Sequence, residues 1–207
     1  MDIYPNLDWL ADPCRLAFVS PQIALAVAEG VPLAPMVLSC KATFTSAGQT
    51  IPSVALENGQ GSTISQATLV TGVSVQVDQP NLNTGNFLKS VNDVAYEEQA
   101  GIQAMMDVVG TPRFTISQFY QPVRVLRDMI NRHIQFGWCF NGTQSIRMNM
   151  QSDASITPPT NVTFAFLMLQ PAGTDKYIYL SDTDAIAALA KLGVPLPQYV
   201  VNRKGGA

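Results

Sequence analysis

Charge is the scarcest commodity in this chain. Only 13% of its 207 residues are Asp, Glu, Lys or Arg, where an ordinary globular domain carries about a quarter. Gln, Asn, Ser and Thr take the place of the missing charges, and they solvate a surface without producing strong fields. Such a surface opposes association weakly, so it suits a subunit whose faces meet neighbours. Histidine is almost absent too. His133 stands alone, which excludes metal or acid–base sites built on histidine clusters, and no Cys–His–Asn pattern surrounds it. A structural His at a helix end is expected. The three cysteines, Cys14, Cys40 and Cys139, are odd in number and follow neither a zinc spacing nor a paired framework. They are read as reduced, buried thiols.

Long apolar runs are also missing. Ile23–Ala28 and Val162–Leu169 are the most apolar stretches, far short of the roughly 20 residues a membrane helix needs. Met1–Leu10 contains acids and a proline where a signal peptide has basic residues followed by an apolar run, so synthesis and folding in a cytoplasm are expected. Close acid pairs are limited to Glu97-Glu98 and Asp182/Asp184. Adjacent glutamates on a helix point about 100° apart and cannot flank one bond, and the two aspartates suit a helix N-terminus. No phosphate loop and no calcium loop is present. No catalytic residue, cofactor, metal or small-molecule substrate is therefore expected.

The charges that do occur are sorted. Between Val108 and Ser152 lie Arg113, Arg124, Arg127, Arg132 and Arg147 against Asp128 alone, a net of +4; the whole chain carries −3, so the remainder carries −7. Arg124, Arg127, Arg132 and Arg147 are accordingly candidates for an interface or an anion-contacting face, an inter-subunit salt-bridging role being favoured over nucleic acid. Trp9 and Trp138 could stack on sugar rings, although the pattern around Trp138 places it in the core.

Hydrophobic periodicity then gives the elements. Residues 1–19, with Pro5 and Pro13, are expected to form an extended N-terminal arm, residues 20–195 a single domain, and 196–207 a tail. Ser20-Pro21 through Gly30 has N-cap, first-turn proline and C′ glycine for a short helix. From Val37 the pattern alternates: Leu38, Cys40, Ala42 and Phe44 on one face, Ser39, Lys41, Thr43 and Thr45 on the other. Thr50–Leu56 is a shorter strand that Pro52 assigns to an edge. Asn58–Gly61 is a turn. Thr63–Gln79 is a long strand, with Val73, Val75 and Val77 on one face and Gly72 marking a bulge. Gln79–Asn86 is a polar loop.

Ile102, Met105, Met106 and Val109 fall at i, i+3, i+4 and i+7, predicting a helix that begins between Asn92 and Glu98. Strand character returns over Arg113–Tyr120. Pro122 opens a helix with Val123, Leu126 and Ile130 on its apolar face and Arg124, Arg127 and Asn131 on another. Ile134–Phe140 and Ile146–Met150 alternate around Asn141-Gly142. Their registers predict a hairpin with a three-residue loop, in which Phe136 faces Ile146 and Ile134 faces Met148. Val162–Leu169, apolar on both faces, predicts a central strand covered on both sides, or on one side by another subunit. Lys176–Leu180 is a short strand. Ser181 caps a final helix carrying Ile186, Leu189 and Leu192 and ending at Gly193.

These elements predict a mainly β fold with several short helices: a two-sheet β-sandwich, for which a jelly roll is a candidate, with helices in the long connections. The run Thr157-Pro-Pro-Thr-Asn-Val-Thr-Phe-Ala-Phe-Leu-Met-Leu-Gln170 resembles the closing strands of bacteriophage virion structural proteins. The general texture, poor in charge and rich in Gln, Asn and Thr, is similar to theirs. The resemblance implies a jelly-roll-like, capsid-associated protein of the virion that assembles with itself and with other virion proteins. It rests on no motif, so it assigns no functional residue. A β-sandwich module binding glycan or a host surface is the alternative, and an enzyme of unfamiliar type comes third.

Overall fold

The computed structural model describes residues 7–57, 67–78, 101–109, 114–115, 119–135, 137–140, 145–156, 158–173, 175–177, 180–196 and 198. The expected turn at 58–61, the loop at 79–86, the helix start between 92 and 98, and the tail from 201 lie outside them. So do Arg113 and the loop at 141–144.

Among the described residues, nine strands make two antiparallel sheets. They are β1 (Leu33–Phe44), β2 (Thr50–Ala55), β3 (Thr68–Asp78), β4 (Ile102–Val109), β5 (Phe114–Thr115), β6 (Gln121–Pro122), β7 (Cys139–Phe140), β8 (Ser145–Ser152) and β9 (Thr160–Pro171). The first sheet runs β1-β9-β3-β7 and the second β2-β8-β4-β5, with β6 also on β4. Pairing is nested, first strand with last: β1 with β9, β2 with β8, β3 with β7, β4 with β5. Rolling that long antiparallel ribbon brings β9 onto β3 and β8 onto β4. This is jelly-roll connectivity, and the two-sheet sandwich expected from the strand pattern is the fold.

Period-two burial drives the two sheets together. Leu38, Cys40 and Phe44 of β1, Phe164 and Phe166 of β9, and Met148 and Met150 of β8 are fully buried between them. Gly72 does mark a bulge: the β3–β9 register shifts between Val70 and Gly72. The extra residue lets Val70 and Val73 both face the core although their spacing is odd. Before the bulge Leu69 points the other way, into a second apolar cluster.

That second cluster is a helical layer on the outer side of the first sheet, where α2 packs against β9. It contains a 3-10 turn (Asp8–Ala11), α1 (Pro13–Val19), α2 (Pro21–Ala28) and α4 (Asp182–Lys191). Asp8–Ala11 and Pro13–Val19 are thus helical, not parts of an extended arm. Leu16 and Ala17 are completely buried there, and burial of that face repays the helix that two prolines seemed to forbid; Pro13 simply occupies the first helical turn, with Asp12 as N-cap. The caps of α2 and α4 are those expected, Ser20 accepting from Ile23 and Ser181 from Asp184. Leu192, however, falls beyond α4 and is 52% exposed.

A polar clasp fastens this layer. Lys176 Nζ donates to Glu29 Oε1 and Oε2 at 2.8 and 2.6 Å, and the Tyr177 hydroxyl donates to Oε2 at 2.5 Å. Lys176 and Tyr177 sit in a 3-10 turn, Asp175–Tyr177, where a strand was expected. The apolar Tyr177 ring is buried against the helices instead of alternating along a sheet. Hydrogen bonds from Lys176 and Tyr177 hold the Glu29 carboxyl below its ordinary value of 4.5. Burial, followed by the Glu29 bond, pushes Tyr177 up to about 12. A depressed carboxyl stabilises the fold above its unfolded pKa, and that contribution is lost as pH falls through the folded one. Denaturant midpoints should therefore fall more steeply below pH 4.5 in the native chain than in Glu29→Gln; identical acid limbs would show that the clasp contributes nothing.

Three expected elements differ. Ile102–Val109 is a strand, with Ile102, Ala104, Met106 and Val108 turned inward. Its residues satisfy a helical stripe and an alternating one equally well, and pairing with β8 along its whole length selects the second. The segment before Asn141 is not a strand from Ile134. Ile134 closes α3 (Val123–Ile134), and among the described residues from there to Phe140 only Cys139–Phe140 is a strand. Nor do β7 and β8 form a hairpin. β7 pairs with β3 in the first sheet and β8 with β4 and β2 in the second, so these consecutive strands lie in different sheets. Gly137, at φ +84°, makes the turn out of α3; a Cβ there would lie 2.2 Å from Val19 Cγ2.

Candidate interaction surfaces

Edges are the first place to look for contacts in a β protein, since an open edge recruits strands. Here they are blunted. At one side, β5 and β7 span two residues each among the described residues, and α3 packs against β3 and β4. Asn131 of α3 stands in for a strand: its Oδ1 accepts from the Val73 N–H at 2.9 Å and its Nδ2 donates to the Val73 carbonyl at 3.1 Å. At the other side, Pro52 lies in edge strand β2, as expected, and Ser53 at φ +58° breaks its ladder. On β1, Glu57 exchanges both backbone hydrogen bonds with Ser39, at 2.8 and 3.1 Å, and Pro35 has no N–H to offer.

The outer face of the first sheet is apolar where the helical layer ends. Val37 and Leu167 are cross-strand partners, 54% and 50% exposed. Leu167 lies beside Gly72: a Cβ there would sit 3.6 Å from Leu167 Cδ1, an ordinary van der Waals contact. Pro35 lies opposite Leu169 in the next outward row, and Leu169 is partly covered by the helices. β9 is therefore central, as expected, with one face in the core and the other only half covered. Farther along, the same face turns polar, with Thr43 bonded to Asn161 at 2.8 Å.

The outer face of the second sheet is different in kind. β4 and β8 present three outward rows in register: Gln103 with Gln151, Met105 with Asn149, and Asp107 with Arg147. Gln151 Nε2 donates to Gln103 Oε1 at 2.8 Å, Asn149 Oδ1 accepts from the Ser53 N–H at 2.9 Å, and Arg147 Nη1 donates to Ser53 Oγ at 3.0 Å.

The four candidate arginines are divided between this face and α3. Arg147 is on β8, opposite Asp107. Arg127 is 6% exposed, and its guanidinium meets Asp128 at 3.1 Å, so its charge is matched locally. Arg127 and Asn131 belong to the buried side of α3 together with Val123, Leu126 and Ile130, not to a separate polar face. Arg124 is half-buried, and Arg132 is exposed in the last helical turn, where a cation complements the helix dipole. The outward side of α3 shows Val125 and Met129 instead, 39% and 36% exposed at i and i+4. Sequence reasoning missed Asp107 and the amide rows because it placed residues 102–109 on a helix.

His133 stacks edge-on against Trp138 with ring centroids 5.4 Å apart, and burial lowers its pKa. Trp9 and Trp138 are 7% and 4% exposed, so neither offers a platform for a sugar ring. Cys40 is buried, which raises its thiol pKa; Cys14 and Cys139 are half-buried, and none of the three is in a disulfide. Among the described residues no three His, Cys, Asp or Glu side chains gather as a metal site, and no helix is long and apolar enough to cross a membrane. Comparison with family models, with curated proteins and with solved structures returns no match.

Proposed function

We propose that this chain is a structural subunit of a viral particle, of the bacteriophage type, which acts by burying low-charge faces against copies of itself and other virion proteins. It would be made in the host cytoplasm and reside in the virion, with no catalytic role. The observation that carries the proposal is the apolar patch of Val37 and Leu167 on the outer face of the first sheet, in a fold whose described strand edges are blunted. Isolated exposed apolar residues are ordinary, but neighbours in register on a sheet face mark a contact surface. Jelly-roll connectivity supports the same role by analogy of fold, since shell proteins use it, as do lectins and cupins. Low charge supports it on physical grounds, because little repulsion opposes packing at high local concentration.

Sedimentation velocity on the purified chain across micromolar concentrations tests the proposal. Concentration-dependent species larger than a dimer are expected. Leu167→Asp should weaken their formation by about tenfold or more, because a carboxylate would be desolvated without a partner. A native chain that remains monomeric throughout would overturn the proposal.

A further inference from the structure

We infer that the outer face of the second sheet is a self-complementary contact, which a second copy of this chain covers about a two-fold axis running between β4 and β8. The inference rests on the subunit role proposed above and adds a second surface to it. An isologous contact requires each group on the patch to complement the group that the two-fold places over it. An axis lying in the interface, parallel to the strands, exchanges β4 with β8 row by row. Asp107 then faces the second copy's Arg147, and Arg147 faces the second copy's Asp107, because the two are direct partners in register. One row along, the Met105 thioether meets an Asn149 amide. In the last row Gln103 meets Gln151, amide against amide, each with both donors and acceptors.

The chemistry of the rows singles this face out. Its charged row consists of one acid and one base, Asp107 and Arg147, so the three rows are neutral as a whole and add no repulsion to a chain of net charge −3. The side chains are already positioned: Ser53 holds Asn149 and Arg147, and Gln151 holds Gln103. Less conformational freedom is then lost on docking. Stacked sheets lie about 10 Å apart, a gap that Gln, Met and Arg side chains from both sides can fill.

Variants in the Leu167→Asp background isolate this face from the first. There the chain should still form a dimer. Adding Asp107→Arg makes the row doubly positive, and adding Arg147→Asp makes it doubly negative; each should weaken dimerisation by about tenfold or more through like-charge juxtaposition. Mixed together, the two variants should form a heterodimer at close to the parental affinity, and added salt should weaken it. Only contact between molecules can produce that rescue, since each chain alone still carries its like-charged pair. A monomeric Leu167→Asp chain, or a mixture that associates no better than its components, would overturn the inference. Assembly of the native chain in the same experiment would leave the proposed subunit role standing without this face.

Discussion

Phe166→Ala should lower the unfolding free energy by about 3–5 kcal/mol, while Leu167→Ala, one residue along the same strand, should cost less than about 1 kcal/mol. Phe166 is fully buried in the central strand of the first sheet, opposite Leu38 on β1 and Val73 on β3. Removing the ring opens a cavity between two sheets that cannot close over it, because β9 is hydrogen-bonded on both sides. Leu167 loses little, since half of its surface already meets water. Guanidinium unfolding of the two variants measures the contrast directly. Comparable losses would mean that β9 does not alternate between a core face and an outer face. Leu167→Ala should also leave folding intact while reducing assembly, which separates its two roles.

Asn131→Leu should cost about 2–4 kcal/mol, although the substitution adds apolar volume at a 5% exposed position. The leucine fills the space but leaves the Val73 N–H and carbonyl without the two hydrogen bonds that Asn131 supplies. A buried backbone group stripped of its partner bears its full desolvation penalty. Asn131→Asp discriminates further. An ionised carboxylate still accepts from the Val73 N–H but repels the carbonyl, so this variant should regain stability as the pH falls and the acid becomes a donor. A stability unchanged in Asn131→Leu would show that α3 does not close the edge of β3 through this side chain. Amide hydrogen exchange at Val73 offers an independent readout, since protection there should collapse in the leucine variant.

Much of the fold was legible because several strands obey one rule without competition. Leu38, Cys40, Ala42 and Phe44 alternate cleanly, and the structure buries all four. Helix caps were equally clear at Ser20 and Ser181, where a hydroxyl and the following turn form a local, self-contained unit. Gly72 announced its bulge because a glycine between β-branched residues has few other uses. Errors arose wherever the decision was not local. Residues 102–109 are apolar at both periods, so only the partner strand could choose between them. The alternation around Asn141-Gly142 suggested a hairpin because strands close in sequence commonly pair, whereas in a rolled ribbon β7 and β8 must part to opposite sheets.

The candidate surface was less legible than the fold. Low charge and the doubly apolar Val162–Leu169 run pointed toward contact with neighbours, and β9 does present Leu167 outward. The arginines looked like one basic region because net charge along the chain ignores where side chains turn. Arg127 turns inward to Asp128, and Arg147 is set opposite Asp107 by a strand register invisible in sequence.

A charge-poor, mainly β sandwich with capped helices in its connections is written in the chain itself, because composition, alternation and capping act over a few residues at a time. The nested pairing of first strand with last, the cover that Asn131 and Glu57 give to β3 and β1, and the contrast between an apolar and an amide-lined outer face emerge from the fold alone. Those features depend on which distant residues become neighbours, and a backbone hydrogen-bond ladder can be satisfied by any strand of compatible length. The scarcity of charge is thus a property of composition, while the register of β4, β8, β1 and β9 sets which residues share each outer face.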